Sequence, residues 1–355
     1  MDHPAQVANI EGLVQELLDA TGAPGATVAL SIDGRPWSAG VGCAEPGGQE
    51  ALPTNARFGL YSITKTVIAT IVLGMAEDRM FALDDPIGQF LPDLPFDTRV
   101  SIRQLLNHTG GIPDYGSDPA YQEAVRNDPG QPWTADEFLA RTLGERLLYM
   151  PGHGWRYSNV GYLLLRLMLE GESGLPFRQV VRHFLVRPAG LDALDVVDNA
   201  DGMTALTPGH SALPANGALC NVIASYHPGW VSHGLVVGTA PELARYLDLL
   251  FDGDLIGPAS LDAMTTPVPV TTDHAWMANP SYGLGLMMDP ANRFGVVAGH
   301  TGGGPGYSTA AYRFSDVRGR RITSVALVNR DGADTATDIV FSMVERLAAV
   351  MVGQS

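Results

Sequence analysis

The sequence predicts an α+β protein: an antiparallel sheet flanked by helices, built from both chain ends, with an all-α domain inserted between its halves. Three observations carry this reading. Strand patterns gather near the start of the chain and again in its last third. Helix patterns with Pro/Gly breaks fill the middle. One amphipathic stretch, Thr335–Val352, closes the chain. Strand runs segregated from helix runs argue against a wound parallel sheet. The expected division is residues 1–80 with 230–355 as the sheet domain, and 81–229 as a mainly helical insert.

The elements follow in order. Ile10, Leu13, Val14, Leu17 and Leu18 recur at helical spacing, and Gly22 can end that helix. Residues 26–32 alternate as a strand, Asp33-Gly34 is a hairpin signal, and 37–41 return. Residues 58–78 read as a buried helix entered from a loop. Thr134-Ala-Asp-Glu137 is a capping box before Phe138, Leu139 and Leu143. Thr239-Ala-Pro-Glu242 is a second one, with proline early in the helix. Residues 282–288, 294–298, 308–314 and 322–329 read as strands.

Composition narrows the function classes. The 355 residues are 45% apolar and 17% charged, ample for a core, and the 41 glycines and 25 prolines fit a loop-rich enzyme. A net charge of −16 argues against a nucleic-acid groove and against an anionic membrane surface as partner. The two cysteines, Cys43 and Cys220, read as buried thiols rather than a bridge. No Cys/His cluster has zinc spacing and no HExxH occurs, so neither metal nor cofactor is expected. Met1-Asp2-His3-Pro4 has no basic or apolar leader character. The apolar run 67–76 closes on Glu77-Asp78-Arg79, too short to span a bilayer. A cytoplasmic location is the expectation.

Three constellations can carry chemistry. In Ser62-Ile63-Thr64-Lys65, positions three apart share a helix face, which brings the Lys65 ammonium to the Ser62 hydroxyl. A serine needs a partner to take its proton, and a lysine serves when burial lowers its pKa. Phe58, Leu60, Ile63, Val67 and Ile68 supply apolar surroundings, and the Ser62 N–H at a helix start can be an oxyanion donor. Alone, such a spacing is more often a helix cap with a solvated lysine. Tyr157-Ser158-Asn159 sits on a loop before the helix 160–170. A tyrosine there can shuttle a proton if a nearby cation favours its phenolate, and Asn159 can hold a substrate amide. His300-Thr301-Gly302-Gly303 follows the strand 294–298. Its glycines permit close backbone approach, Gly303 offers a second oxyanion N–H, and His300 can tune the opposite wall. The same letters at His108-Thr109-Gly110-Gly111 end a helix-like run and read as a structural cap.

In this order the three motifs resemble the serine β-lactamase and penicillin-binding protein superfamily. Tyrosine in the second motif and histidine in the third resemble the branch of class C β-lactamases, DD-peptidases, D-amino-acid amidases and family VIII esterases. Phe81-Ala-Leu-Asp-Asp-Pro-Ile87, Leu105-Leu-Asn-His-Thr-Gly-Gly111 and Tyr282-Gly-Leu-Gly-Leu286 are phrases similar to that branch. The resemblance spans roughly residues 8–350. It implies a cleft site between the two domains, with Ser62 as nucleophile and Lys65 and Tyr157 sharing acid–base work. Asn159 would bind the substrate amide, and His300, Thr301, Gly302 and Gly303 would line the opposite wall.

The implied substrate is a small ester, amide or peptide. His300 stands where a lysine would bind a carboxylate, Gly303 brings no hydroxyl, and the nearest later cation is Arg293. An esterase or D-aminoacyl amidase or peptidase is therefore expected first. A penicillin-binding DD-carboxypeptidase or weak β-lactamase comes second, and a non-catalytic sensor on the same fold third.

Overall fold

The computed structural model describes residues 8–96, 99–144, 146–213, 218–271, 273–332 and 334–352. Helix α1 (Ile10–Thr21) buries Ile10, Val14 and Leu18, and ends on Gly22 in the left-handed region at φ 67°. Strands β1 (Gly25–Ile32) and β2 (Arg35–Gly42) form a hairpin. Its two turn residues, Asp33 and Gly34, both have positive φ, the turn that matches strand twist.

The next segment departs from the single helix expected over 58–78. It divides into a short strand β3 (Phe58–Gly59), a 3-10 turn (Tyr61–Ile63) and helix α2 (Thr64–Glu77). The cause is a neighbouring strand: Phe58 and Gly59 pair with Gly238 and Val237, and the Leu60 N–H donates to the Val236 carbonyl at 2.8 Å. Edge pairing holds the chain extended until it clears the sheet.

The middle of the chain supplies α3 (Ile102–Leu106), α4 (Pro119–Asn127), α5 (Ala135–Thr142) and α6 (Asn159–Ser173). The Thr134–Glu137 capping box is formed as expected. Strand β4 (Asp195–Val197) also lies in this stretch, and β5 (Leu235–Gly238) pairs with both β4 and β3. Helix α7 (Ala240–Asp252) follows. There Thr239 caps the Glu242 N–H, but the Glu242 carboxylate accepts from the Ala193 N–H instead, so this second box is half made.

The last third is strand-rich. It gives β6 (Val268–Pro269), β7 (Ser281–Tyr282), β8 (Met287–Asn292), β9 (Gly295–Gly304), β10 (Tyr307–Val317), β11 (Arg320–Val328) and helix α8 (Thr335–Val352). The expected strand 282–288 is broken. Residues 283–286 leave the sheet, because the Gly285 carbonyl accepts from Thr66 Oγ1 at 2.7 Å and its N–H donates to Leu106. The strand expected to stop at 298 runs on to Gly304, so His300–Gly303 lie within it.

One antiparallel eight-stranded sheet results, in the order β2-β1-β11-β10-β9-β8-β7-β6. The N-terminal hairpin joins strands from the end of the chain, as the α+β reading expected. Alternate residues serve opposite faces. Val28, Ala326 and Val328 pack with Val14, Ile339 and Phe341 of α1 and α8, whereas Ala29, Val325 and Leu327 join the core that holds α2, α6 and α7. Cys43 and Cys220 are free thiols, half-buried rather than buried. Among the described residues no helix is long and apolar enough to cross a membrane.

A buried ion pair fixes α7 to the sheet. Arg313 of β10 is 5% exposed and donates to Asp248 at 2.6 Å, Asp252 at 3.0 Å and Thr323 at 3.1 Å. Removing Asp248 leaves the guanidinium under-paired in a dry setting, which is costlier than the pair itself is worth. Asp248→Ala is expected to lower unfolding stability by about 3 kcal/mol in urea titration, a loss of the size seen for broken buried pairs.

Candidate active site

The site begins where β3 ends. Tyr61 takes a left-handed backbone at φ 46°, rare for a side chain of this size. Its hydroxyl donates to the Pro305 carbonyl and its ring lies against Gly304 and Tyr307, so packing holds the turn that presents Ser62. Strand β9 passes close beside this turn. A β-carbon at Gly302 would meet the Leu60 carbonyl oxygen at 2.2 Å, and one at Gly304 would meet the Tyr61 ring at 2.2 Å. Gly303, between them, faces open space. Only glycine at 302 and 304 allows the turn and the strand to approach this closely.

Lys65, in the first turn of α2, is fully buried. Its Nζ meets three groups: Ser62 Oγ at 3.1 Å, Asn159 Oδ1 at 2.8 Å and His233 Nε2 at 3.3 Å. It also sits 4.8 Å from the centre of the Tyr157 ring. Burial pulls its pKa down to about 7, against the smaller upward pull of Asp114.

Tyr157 and Asn159 come from the loop entering α6. Ser158 is the N-cap: its Oγ accepts from the Gly161 N–H at 3.1 Å and donates to the Pro113 carbonyl at 2.8 Å. Asn159, expected just before the helix, is its first residue. Asp114 grips it twice, accepting from the backbone N–H at 2.7 Å and from Nδ2 at 3.3 Å. With Oδ1 turned to Lys65, one Nδ2 hydrogen is left to face a ligand. Burial drives the Tyr157 phenol far above its usual pKa, and its contact with Ser62 pulls less strongly the other way. The ring is therefore a neutral phenol near pH 7.

His300 stands on β9 with its ring 6.3 Å from that of Tyr157. Its Nδ1 faces the Thr301 carbonyl at 2.5 Å and its Nε2 faces the Tyr282 hydroxyl at 2.9 Å. A carbonyl only accepts, so Nδ1 carries the hydrogen and Nε2 accepts from Tyr282. Burial holds the ring pKa at about 3, with Lys65 adding to the effect. The third motif thus offers no positive charge from His300. Thr301 is half-buried, its hydroxyl turned to Met287 Sδ at 3.5 Å.

The structure brings Ser62, Lys65 and Asn159 into direct contact, with Tyr157 over the ammonium and His300 beside Tyr157. Three residues of the site were not foreseen. Asp114 and His233 lie in no motif, and their partners are 45 and 168 positions away. His108 was read only as a helix cap. The helix does end here, the Thr109 and Gly110 N–H groups returning to the Gln104 carbonyl, though not on the glycine expected. Yet His108 itself has φ 62°, its ring lies 4.4 Å from that of Tyr157 and 4.5 Å from that of Tyr282, and its Nδ1 accepts from the Ser158 N–H.

A cleft of about 880 Å³ is lined by residues 301–304 of β9, the wall beside the turn of Ser62, although Ser62, Lys65, Tyr157 and Asn159 do not themselves line it. Asp331, Asp334 and Arg126 of α4 also line it. Arg293, the cation nearest in sequence, instead pairs with Glu345 of α8. Among the described residues no cluster of three metal-ligating side chains occurs.

Known proteins resemble this chain in sequence and in fold. The chain is 28% identical over 310 residues to penicillin-binding protein 4* of Bacillus subtilis (strain 168), covering 82% of this chain but 64% of that protein. It is 29% identical over 145 residues to esterase EstB of Burkholderia gladioli, covering 38% of this chain and 37% of that one. The crystal structure of a D-stereospecific amidohydrolase from Streptomyces sp. superposes with a TM-score of 0.79 at 28% identity, over 96% of this chain and 99% of that one. The family model described as Beta-lactamase matches residues 10–342, and on that match the chain belongs to the Beta-lactamase family.

Proposed function

We propose that the protein is a serine hydrolase that cleaves small esters or amides through an acyl-enzyme on Ser62. One observation carries this reading: a buried Lys65 amine, titrating at about 7, lies 3.1 Å from a serine hydroxyl. Neutral Lys65 takes the Ser62 proton as Oγ attacks the carbonyl carbon. The N–H groups of Ser62 and Gly303 receive the developing oxyanion. Tyr157 gives its phenolic proton to the leaving group and regains one from the Lys65 ammonium. Water then attacks the acyl-enzyme, its proton passing to Lys65, and Ser62 takes a proton back as the acid departs. In this reading residues 1–80 with 230–355 carry Ser62, Lys65 and β9, while the insert 81–229 carries Tyr157 and Asn159. The relatives named a D-stereospecific amidohydrolase and an esterase support small amides and esters as the substrate class.

A second reading has its own observation. Arg126 lines the same cleft as residues 301–304 without a hydrogen bond or ion pair to any described residue, which makes it the candidate cation for a substrate carboxylate, His300 being neutral. This favours a DD-carboxypeptidase type of substrate. A burst without turnover on every substrate would favour the sensor instead.

Four outcomes test these readings. Incubation with an activated p-nitrophenyl ester or a β-lactam should add one acyl mass to the intact protein, and Ser62→Ala should abolish the adduct. No adduct in the wild type would sink the proposal. Because the base is the uncharged amine, kcat/KM should be low in acid and rise with pH through about 7, reporting the free enzyme. Lys65→Gln should cost about a thousandfold or more in kcat/KM across this range, the scale seen when a nucleophile loses its base. Arg126→Ala should raise KM for a substrate ending in free D-alanine about tenfold and leave p-nitrophenyl acetate unchanged. Equal effects on both would remove the carboxylate reading.

A further inference from the structure

We propose that His233 is a positioning residue for Lys65: it accepts one lysine N–H and so leaves the amine lone pair directed at Ser62. The inference rests on Lys65 acting as the base. It follows from counting hydrogens around one nitrogen. A charged lysine has three N–H donors, and three acceptors surround Nζ: Ser62 Oγ, Asn159 Oδ1 and His233 Nε2. A neutral lysine has two N–H donors and one lone pair. If Asn159 and His233 take the two donors, the lone pair is left pointing at the Ser62 hydroxyl, where the proton must be received. Without His233 the second donor has no fixed acceptor, and the amine can turn a hydrogen toward Ser62.

The surroundings suit a neutral acceptor at this place. His233 is buried and directly precedes Gly234, whose backbone lies at φ 94°. With Nε2 accepting from Lys65, Nδ1 carries the ring hydrogen, and the Tyr61 backbone is its hydrogen-bonding neighbour. Burial first and the Lys65 charge next keep its ring uncharged, against the smaller upward pull of a hydrogen bond to the Tyr61 backbone; His300 and Arg166 add least. Arg166 is turned away, donating to the Ser232 carbonyl at 3.0 Å and pairing with Glu170. Around Lys65 itself stand the phenols Tyr157 and Tyr162, the neutral rings of His108 and His300, and one carboxylate, Asp114, which acts through Asn159. No other described side chain contacts Nζ as an acceptor. With a neutral imidazole the site keeps the low lysine pKa that a carboxylate in the same place would raise.

The test compares His233→Leu, which keeps the site dry but offers no acceptor, with His233→Gln, which restores one. Intact mass and the acyl adduct on Ser62 are read in both, so loss of the adduct in the wild type would count against the acyl-enzyme itself and not against His233. In His233→Leu, kcat should fall tenfold to a hundredfold, roughly the cost of misplacing a reacting group, with KM little changed. Its acid limb of kcat/KM should also move to lower pH, because the ammonium loses an acceptor. His233→Gln should recover most of kcat and the wild-type limb. Wild-type kcat and pH profile in His233→Leu would overturn the proposal. So would a folded His233→Gln as impaired as the leucine variant, since that outcome leaves only a packing role.

Discussion

The burial of one ammonium group organises this molecule. Lys65 stands in the first turn of a helix of which eleven residues are buried, under the rings of Tyr157 and Tyr162. A cation taken from water costs several kcal/mol unless neighbours replace its hydration. Here three acceptors do so, and among the described residues no carboxylate touches it. That choice of partners matters. A direct ion pair would hold the lysine charged, whereas oxygen and nitrogen acceptors satisfy its hydrogens and leave its pKa near neutrality. Asp114 is kept one residue away, spending its charge on Asn159.

The same need for a dry, narrow site explains the glycines. Gly285 brings the 283–286 turn onto α2; a β-carbon there would meet Ala69 Cβ at 2.6 Å and the Lys65 carbonyl at 2.9 Å. Gly302 and Gly304 bring β9 onto the turn that holds Ser62. These contacts meet backbone carbonyls, the Ala69 β-carbon and the packed Tyr61 ring. They cannot be relieved by a rotamer change, so they fix the separation of the helix, the turn and the strand.

Histidines and tyrosines line the site in neutral form. His108, His233 and His300 all have depressed pKa values, with burial the largest cause and the Lys65 charge next. Tyr157, Tyr162 and Tyr282 are raised by the same burial. The inner site therefore carries few formal charges, and the charged side chains stand farther out, at Arg126, Asp331 and Asp334 along the cleft. Polarity near Ser62 comes from oriented hydrogen bonds, which need no rearrangement when charge develops.

The sequence by itself determined what depends on local spacing. A serine and a lysine three positions apart share a helix face, Asp33-Gly34 fits the hairpin turn, and alternating or helical periodicity places strands at both ends and helices between them. It also ordered the three motifs along the chain. Tertiary structure decided what depends on distant partners. Pairing with β5 turned the start of the expected helix at 58 into a strand, and contact with α2 pulled 283–286 out of the sheet. His108 became part of the site because its cap faces Tyr157, which no spacing rule reveals. His233 and Asp114 meet the site across 168 and 45 positions of chain. Periodicity reports which face a residue occupies; only packing reports what stands opposite that face, and the lysine's pKa depends on the latter.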